Sequence, residues 1–215
     1  MESNDRLARI APLSGVLFVV LEMAGVAIGA AGGRSMAALG DPMSKIVTSF
    51  HDPVGTGVWV GAYLELASMA AFILFATWLL RGRSGPLATA GLVTAGIYVA
   101  TTVAGLVVGD ALAYGSAHGL GDEALLALFY LQSGLFFATW GIAAILLVLV
   151  PVSGWLRRSA IAIAVLLLVA LAFPTGGASQ FPNMLFLVWI VAASISSSRR
   201  RAVSLNHDPV GAPAL

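Results

Sequence analysis

The chain has 215 residues, of which 59% are hydrophobic and 10% charged, and its formal net charge is +1. A soluble domain of this size carries about 25% charged residues, so a large water-soluble core is excluded and an integral membrane protein remains. Bulk charge gives no basis for nucleic-acid binding, and the absence of cysteine removes disulfides, thiolate catalysis and Cys-ligated zinc or iron–sulfur centres.

Six apolar segments follow one another at 10–31, 57–80, 87–109, 124–150, 159–176 and 180–198. Each is long enough to cross ~30 Å of hydrocarbon. They predict an all-α fold: one polytopic six-transmembrane-helix bundle over residues 1–201. The first segment is too long for a signal-peptide core and contains Glu22, so it reads as a span. The loop after it, about 32–56, is the one long connection. Within it "DPMSKIVTSFH" offers Asp41 as a cap, Pro42 at the first helical position, and Met43, Ile46, Val47 and Phe50 at helical spacing. A short amphipathic helix on the interface or over the bundle mouth is expected there, with an ordinary ordered loop as the alternative. The second span holds "GAYLELASMAAF", with Glu65 in a run otherwise almost wholly apolar. Asp122 and Glu123 open the fourth span, where carboxylates suit a helix N-terminus, and the length of that span implies tilt. The fifth ends at Pro174. Residues 202–215 are polar and Pro-rich enough to be a disordered tail. The pentapeptide "HDPVG" occurs at 51–55 and 207–211 with no repeat architecture around it, and reads as coincidence.

Arginines give an orientation. Arg6, Arg9, Arg81, Arg83, Arg157, Arg158, Arg199, Arg200 and Arg201 are nine of the eleven Lys and Arg, and they share one side if the spans alternate. The other side holds Arg34 and Lys45, with Asp41, Asp52, Asp110, Asp122 and Glu123. Positive-inside bias then places both termini in the cytoplasm of an inner membrane.

Depth singles out the buried polar residues. Glu22, counted back from 31, and Glu65, counted in from 57, both fall roughly 12–14 Å below the outer boundary at 1.5 Å per residue. Thr101, Thr102, Gln132 and Ser133 fall at a similar level. Glu22 shares a helix stripe with Gly15, Gly25 and Gly29; Glu65 with Gly57, Gly61 and Ser68; Thr101 with Gly91, Thr94, Tyr98 and Gly105. Such stripes should be packed faces rather than lipid faces. A central acid costs about 2.5–3.5 kcal/mol on insertion scales, so it points inward and is partnered. No Lys, Arg or His lies within the spans, so no basic side chain is expected at that depth. Three states remain: protonated carboxyls, a coupled pair sharing one proton, or a watery pocket that accepts a cation or a basic ligand. Met69, Phe72, Tyr98, Tyr130, Phe136 and Trp140 could wall such a pocket. The bland alternative is that these groups only hydrogen-bond neighbouring helices, at about 0.6 kcal/mol each.

Other chemistry is thinly represented. There is no P-loop, dinucleotide fingerprint or HExxH, and no cofactor is implied. His51, Asp52, Asp110, His118 and Asp122 could in principle gather round a metal, but their spacing does not demand it, and no metal site is assigned. Trp59, Trp78, Trp155 and Trp189 include several near span ends, as interfacial anchors would be. Arg199–Arg201 reads as a topology anchor.

Three stretches, "RLARIAPLSGVLFVV" (6–20), "VSGWLRRSAIAIAVL" (152–166) and "LFLVWIVAASISSSRRR" (185–201), resemble a bacterial family of six-span membrane proteins catalogued as domain of unknown function 4386. The resemblance implies a fold and a topology and brings no catalytic residue, substrate or cofactor. The residues are expected to serve a non-enzymatic accessory or structural membrane component. The alternative is a small carrier or ligand-binding protein, cation or proton coupled, whose outward-facing pocket uses Glu22 and Glu65 with Tyr98, Thr101, Thr102, Gln132 and Ser133. An intramembrane enzyme comes third. The lipid bilayer is the implied partner, with a helix-mediated oligomer or a second membrane protein as further possibilities.

Overall fold

The computed structural model describes residues 11–35, 37–51, 54–81, 84–173 and 180–205, with side chains described as far as Ser198. Arg6, Arg9, Asp52, Arg83, Pro174, His207, the second "HDPVG" and residues 206–215 lie outside the described residues, as do the side chains of Arg199–Arg201. Seven α-helices follow a 3-10 turn at Ala11–Leu13: α1 Ser14–Ala31, α2 Met43–Phe50, α3 Thr56–Leu80, α4 Pro86–Ala117, α5 Asp122–Leu149, α6 Trp155–Ala172 and α7 Phe181–Leu205. All but α2 are long and apolar enough to cross a membrane, the number of crossings expected of a multi-pass membrane protein.

The order of packing is the order of the chain. α1 packs most extensively on α3, α3 on α4, α4 on α5, α5 on α6, α6 on α7, and α7 returns to α1. Short connections make successive neighbours antiparallel from α3 onward, and the contacts of α1 with α3 and α7 close the six long helices into a ring. Its middle is filled. Phe18 of α1, Phe72 of α3, Tyr98 of α4 and Phe186 of α7 form a chain of ring contacts, with centroids 5.1, 4.7 and 6.0 Å apart. Trp140 and Leu147 of α5 are fully buried beside them. The outward faces carry exposed Leu, Val and Ile on every long helix, a surface suited to hydrocarbon rather than to water.

Two close approaches shape the α1–α3 contact. A Cβ placed on Gly61 would lie 2.5 Å from Gly25 O and 2.9 Å from the Gly29 Cα. Any side chain there would have to push backbone apart. The GxxxG pairs at 25–29 and 57–61 therefore face each other. The third, 105–109, does not belong to this seam: Gly105 only meets Leu135 Cβ at 3.6 Å, and Gly109 lies against the Gln132 amide.

Several expected boundaries shift. α4 runs to Ala117, well past 109, because the "ALAY" that follows Asp110 is strong helix former and one acid does not stop a helix. α6 starts at Trp155 rather than 159 and ends at Ala172. Arg157 lies in its first turn and donates to Val148 O at 2.7 Å, capping the last carbonyls of α5. α7 continues to Leu205, so residues 202–205 are helical where a disordered tail was expected. Asp122 and Glu123 occupy the first turn of α5, as the helix dipole favours.

Trp189 is not an interfacial anchor. It is 3% exposed and donates from Nε1 to Leu156 O at 3.1 Å, tying α7 to α6. The expected capping of α2 also differs. Pro42 precedes the first turn, and Asp41 instead accepts from the Ala38 amide at 2.9 Å and from Lys45 Nζ at 2.6 Å. These donors, the Ala38 amide first, hold the Asp41 carboxyl below the ordinary carboxylate range. α2 itself does form. It lies across the bundle rather than flat on an interface: Ile46 and Phe50 are buried against Leu112 of α4 and against Leu125 and Phe129 of α5.

Candidate functional site

The two acids of the spans meet at the α1–α3 seam. Ser68, fully buried on α3, lies 2.7 Å from Glu22 Oε2 and 2.6 Å from the Glu65 carbonyl oxygen. Ser68 thus ties the Glu22 carboxyl to the main chain of residue 65, not to the Glu65 carboxyl, and Glu22 does not line the cavity described below. The Ser68 hydroxyl has one hydrogen for these two oxygens.

Glu65 has a partner that the sequence reading excluded. The Arg34 guanidinium donates to Glu65 Oε1 and forms an ion pair with it. Arg34 is on no helix. It follows α1 by three residues, after Gly33 turns the chain with φ +91°, and its amide bonds back to Gly29 O at 3.0 Å. The side chain then runs back along α1 into the bundle. Gly29 leaves room for it: a Cβ at that position would come within 2.8 Å of Arg34 Cζ. A second, long contact joins Arg34 Nη2 to Val58 O at 3.5 Å. The Glu65 side chain is 6% exposed and that of Arg34 24%, so the pair sits at the boundary between the packed interior and a cavity.

That cavity, of about 90 Å³, lies at the end of the bundle where α1 ends and α3 begins. Arg34, Glu65, Asp110 of α4 and Gln132 of α5 supply its charged and amide groups, and Ser35, Ser49 and Ser116 its hydroxyls. It has room for several waters. Asp110 stands near enough to feel the Arg34 charge. Asp110 thus lines the same cavity as the Arg34–Glu65 pair, without contacting it. α2 closes the cavity through Ser49 and Phe50, and the Ser35 and Ser49 hydroxyls are 2.6 Å apart, pinning the Arg34 loop to α2.

The other expected members divide. Gln132 is in the cavity, its amide lying over Gly109. Tyr98 is buried deeper, in ring contact with Phe72 and Phe186. Thr102 donates to Tyr98 O at 2.8 Å, a backbone contact within α4. Thr101, Thr102 and Ser133 are partly buried and do not line the cavity. Of the expected aromatic walls, Met69, Phe72 and Trp140 are core, while Tyr130 and Phe136 are 43% and 40% exposed and face outward. Sequence reasoning missed Arg34, Asp110, Ser35, Ser49 and Ser116 as site residues. The signal for Arg34 was its isolation: with Lys45 it is one of two basic residues in the long loop.

His51 Nε2 approaches Asp122 Oδ1 at 3.5 Å, His118 stacks on Tyr114 with centroids 4.0 Å apart, and Asp110 faces the cavity, so these groups do not converge. Among the described residues no group of three or more His, Asp or Glu is placed to hold a metal ion. Comparison with known proteins finds no matching family model, curated protein or solved structure.

Proposed function

We propose that this chain is a non-enzymatic multi-pass membrane protein that binds a small cation in the cavity between Arg34, Glu65, Asp110 and Gln132. The observation that carries it is the charge balance. One guanidinium is set against two carboxyls in a partly buried space, and a charge removed from water is tolerated only when paired. The surplus belongs to Asp110, and a small organic ammonium restores neutrality. Hydroxyls of Ser35, Ser49 and Ser116 and the Gln132 amide offer the remaining ligand oxygens.

The bundle is oriented N-in and C-in in a bacterial inner membrane, with the cavity facing outward. The nine arginines on the opposite side support this, as does the resemblance to the six-span family of unknown function. The filled interior beneath the cavity, from Phe18 across to Phe186, favours a receptor or accessory component over an open pathway. A carrier cycle would have to part those rings.

The test is a titration of methylammonium chloride into the purified protein in nanodiscs at constant ionic strength, read as a thermal-stability shift. Saturable stabilisation is expected for the unaltered chain, weakened about tenfold (about 1.4 kcal/mol) in Asp110→Asn. Identical responses to methylammonium and sodium in both proteins would overturn the assignment.

A further inference from the structure

Arg34 enters the bundle as a ligand would. It comes from the mouth rather than from a helix, and it turns in at Gly33. Its head lies in a notch that exists because Gly29 has no side chain. The head meets one carboxylate, on Glu65, and one distant carbonyl, on Val58. The comparison with Arg157 is instructive. That arginine also reaches carbonyls, those of Val148 and, at 3.5 Å, Leu147, but it caps a helix end within a packed hairpin. Arg34 instead borders open volume with a second acid, Asp110, across it.

We propose that the seat of the Arg34 guanidinium is a receptor site for a small ligand bearing a guanidinium or amidinium group, with Arg34 as its tethered occupant. This goes beyond the cation-binding reading above: that cation sits on Asp110 with Arg34 in place, whereas this ligand takes the place of Arg34 itself. The seat already holds a planar, two-armed cation, one N–H on Glu65 Oε1 and a second, long contact to Val58 O, with the head in the Gly29 notch, and a round ammonium fits it less well. Exchange is favoured on electrostatic grounds. Withdrawing Arg34 alone would leave the buried Glu65 carboxylate unpaired, which is strongly unfavourable. Arg34 leaves when another cation takes its place, and the glycine turn lets the loop follow. Ser35, its neighbour, holds Ser49 of α2. Ligand exchange at the seat therefore shifts the helix that closes the cavity.

The measurement is thermal stabilisation in nanodiscs by guanidinium chloride at millimolar concentration, against sodium chloride and methylammonium chloride of equal ionic strength. A tethered occupant that fills the seat most of the time lowers apparent affinity by the vacant fraction. Arg34→Ala is therefore expected to respond to guanidinium about tenfold more tightly than the unaltered chain, more strongly than to methylammonium, and not at all to sodium. Adding Glu65→Gln to it should abolish the response. Should Arg34→Ala not fold, Arg34→Gln provides the same comparison with a shorter neutral side chain. Equal guanidinium responses with and without Arg34, or a response that survives Glu65→Gln, would overturn the proposal. If methylammonium still binds through Asp110 in that case, only the guanidinium seat is wrong. If neither cation binds, the cation site itself is wrong.

Discussion

Glu22 and Glu65 look equivalent in the sequence: same depth, opposite chain directions, both on stripes of small residues. Folding separates them. Glu65 is ion-paired to Arg34, whereas Glu22 meets the Ser68 hydroxyl. An amide at position 22 can still donate to and accept from that hydroxyl. Glu22→Gln should therefore change unfolding free energy in mixed micelles by less than about 1 kcal/mol, while Glu22→Ala, which removes this contact and the packing of the side chain and leaves the hydroxyl only the Glu65 carbonyl oxygen, should cost about 1–3 kcal/mol. Equal losses in both variants would show that the carboxylate charge is what matters at this position. That the two acids lie at one level of the α1–α3 seam was legible because helical depth is simple counting at 1.5 Å per residue. Arg34 was not. Counting along helices cannot register a side chain that folds back from a loop, 31 positions away from its partner in the chain.

At the scale of elements, the apolar spans and the amphipathic α2 were visible as periodicity and run length. Their ends and faces were less so, because polarity was used as a boundary. Asp110 and its neighbours were placed outside the third span, yet α4 continues past them and brings Asp110 into the cavity. Trp189 was read from its position near a span end, but burial against α6 outweighs interfacial preference once its indole N–H finds the Leu156 carbonyl. The α1–α3 seam sets the height and spacing of the site, since Gly25 carries the Glu65 Cγ against it. Gly61→Ala must separate two backbones, and overpacking of this kind costs about 1–3 kcal/mol. Thermal unfolding should show that loss, whereas Gly96→Ala, with open space at its Cβ, should be silent or slightly stabilising. A silent Gly61→Ala would mean that the seam is looser than described.

For the whole molecule, a ring of six helices with an apolar outside and an aromatic middle leaves a cavity near one end that holds Arg34, Glu65 and Asp110. The proposed side of the membrane that this end faces rests on the arginines alone. Cysteines introduced singly at positions 41 and 118 should react with an impermeant maleimide from outside the cell, and one at 157 only after permeabilisation; the reverse pattern would invert the topology. What distinguishes this bundle from a generic apolar one is that a loop arginine reaches an intramembrane glutamate. The most direct test is a double-mutant cycle: unfolding free energies in bicelles for the unaltered chain, Arg34→Gln, Glu65→Gln and the double variant. A coupling of about 1–3 kcal/mol is expected for a partly buried, hydrogen-bonded ion pair. Losses that add to within about 0.5 kcal/mol would contradict it, and the cavity would lose the charge balance on which its function depends.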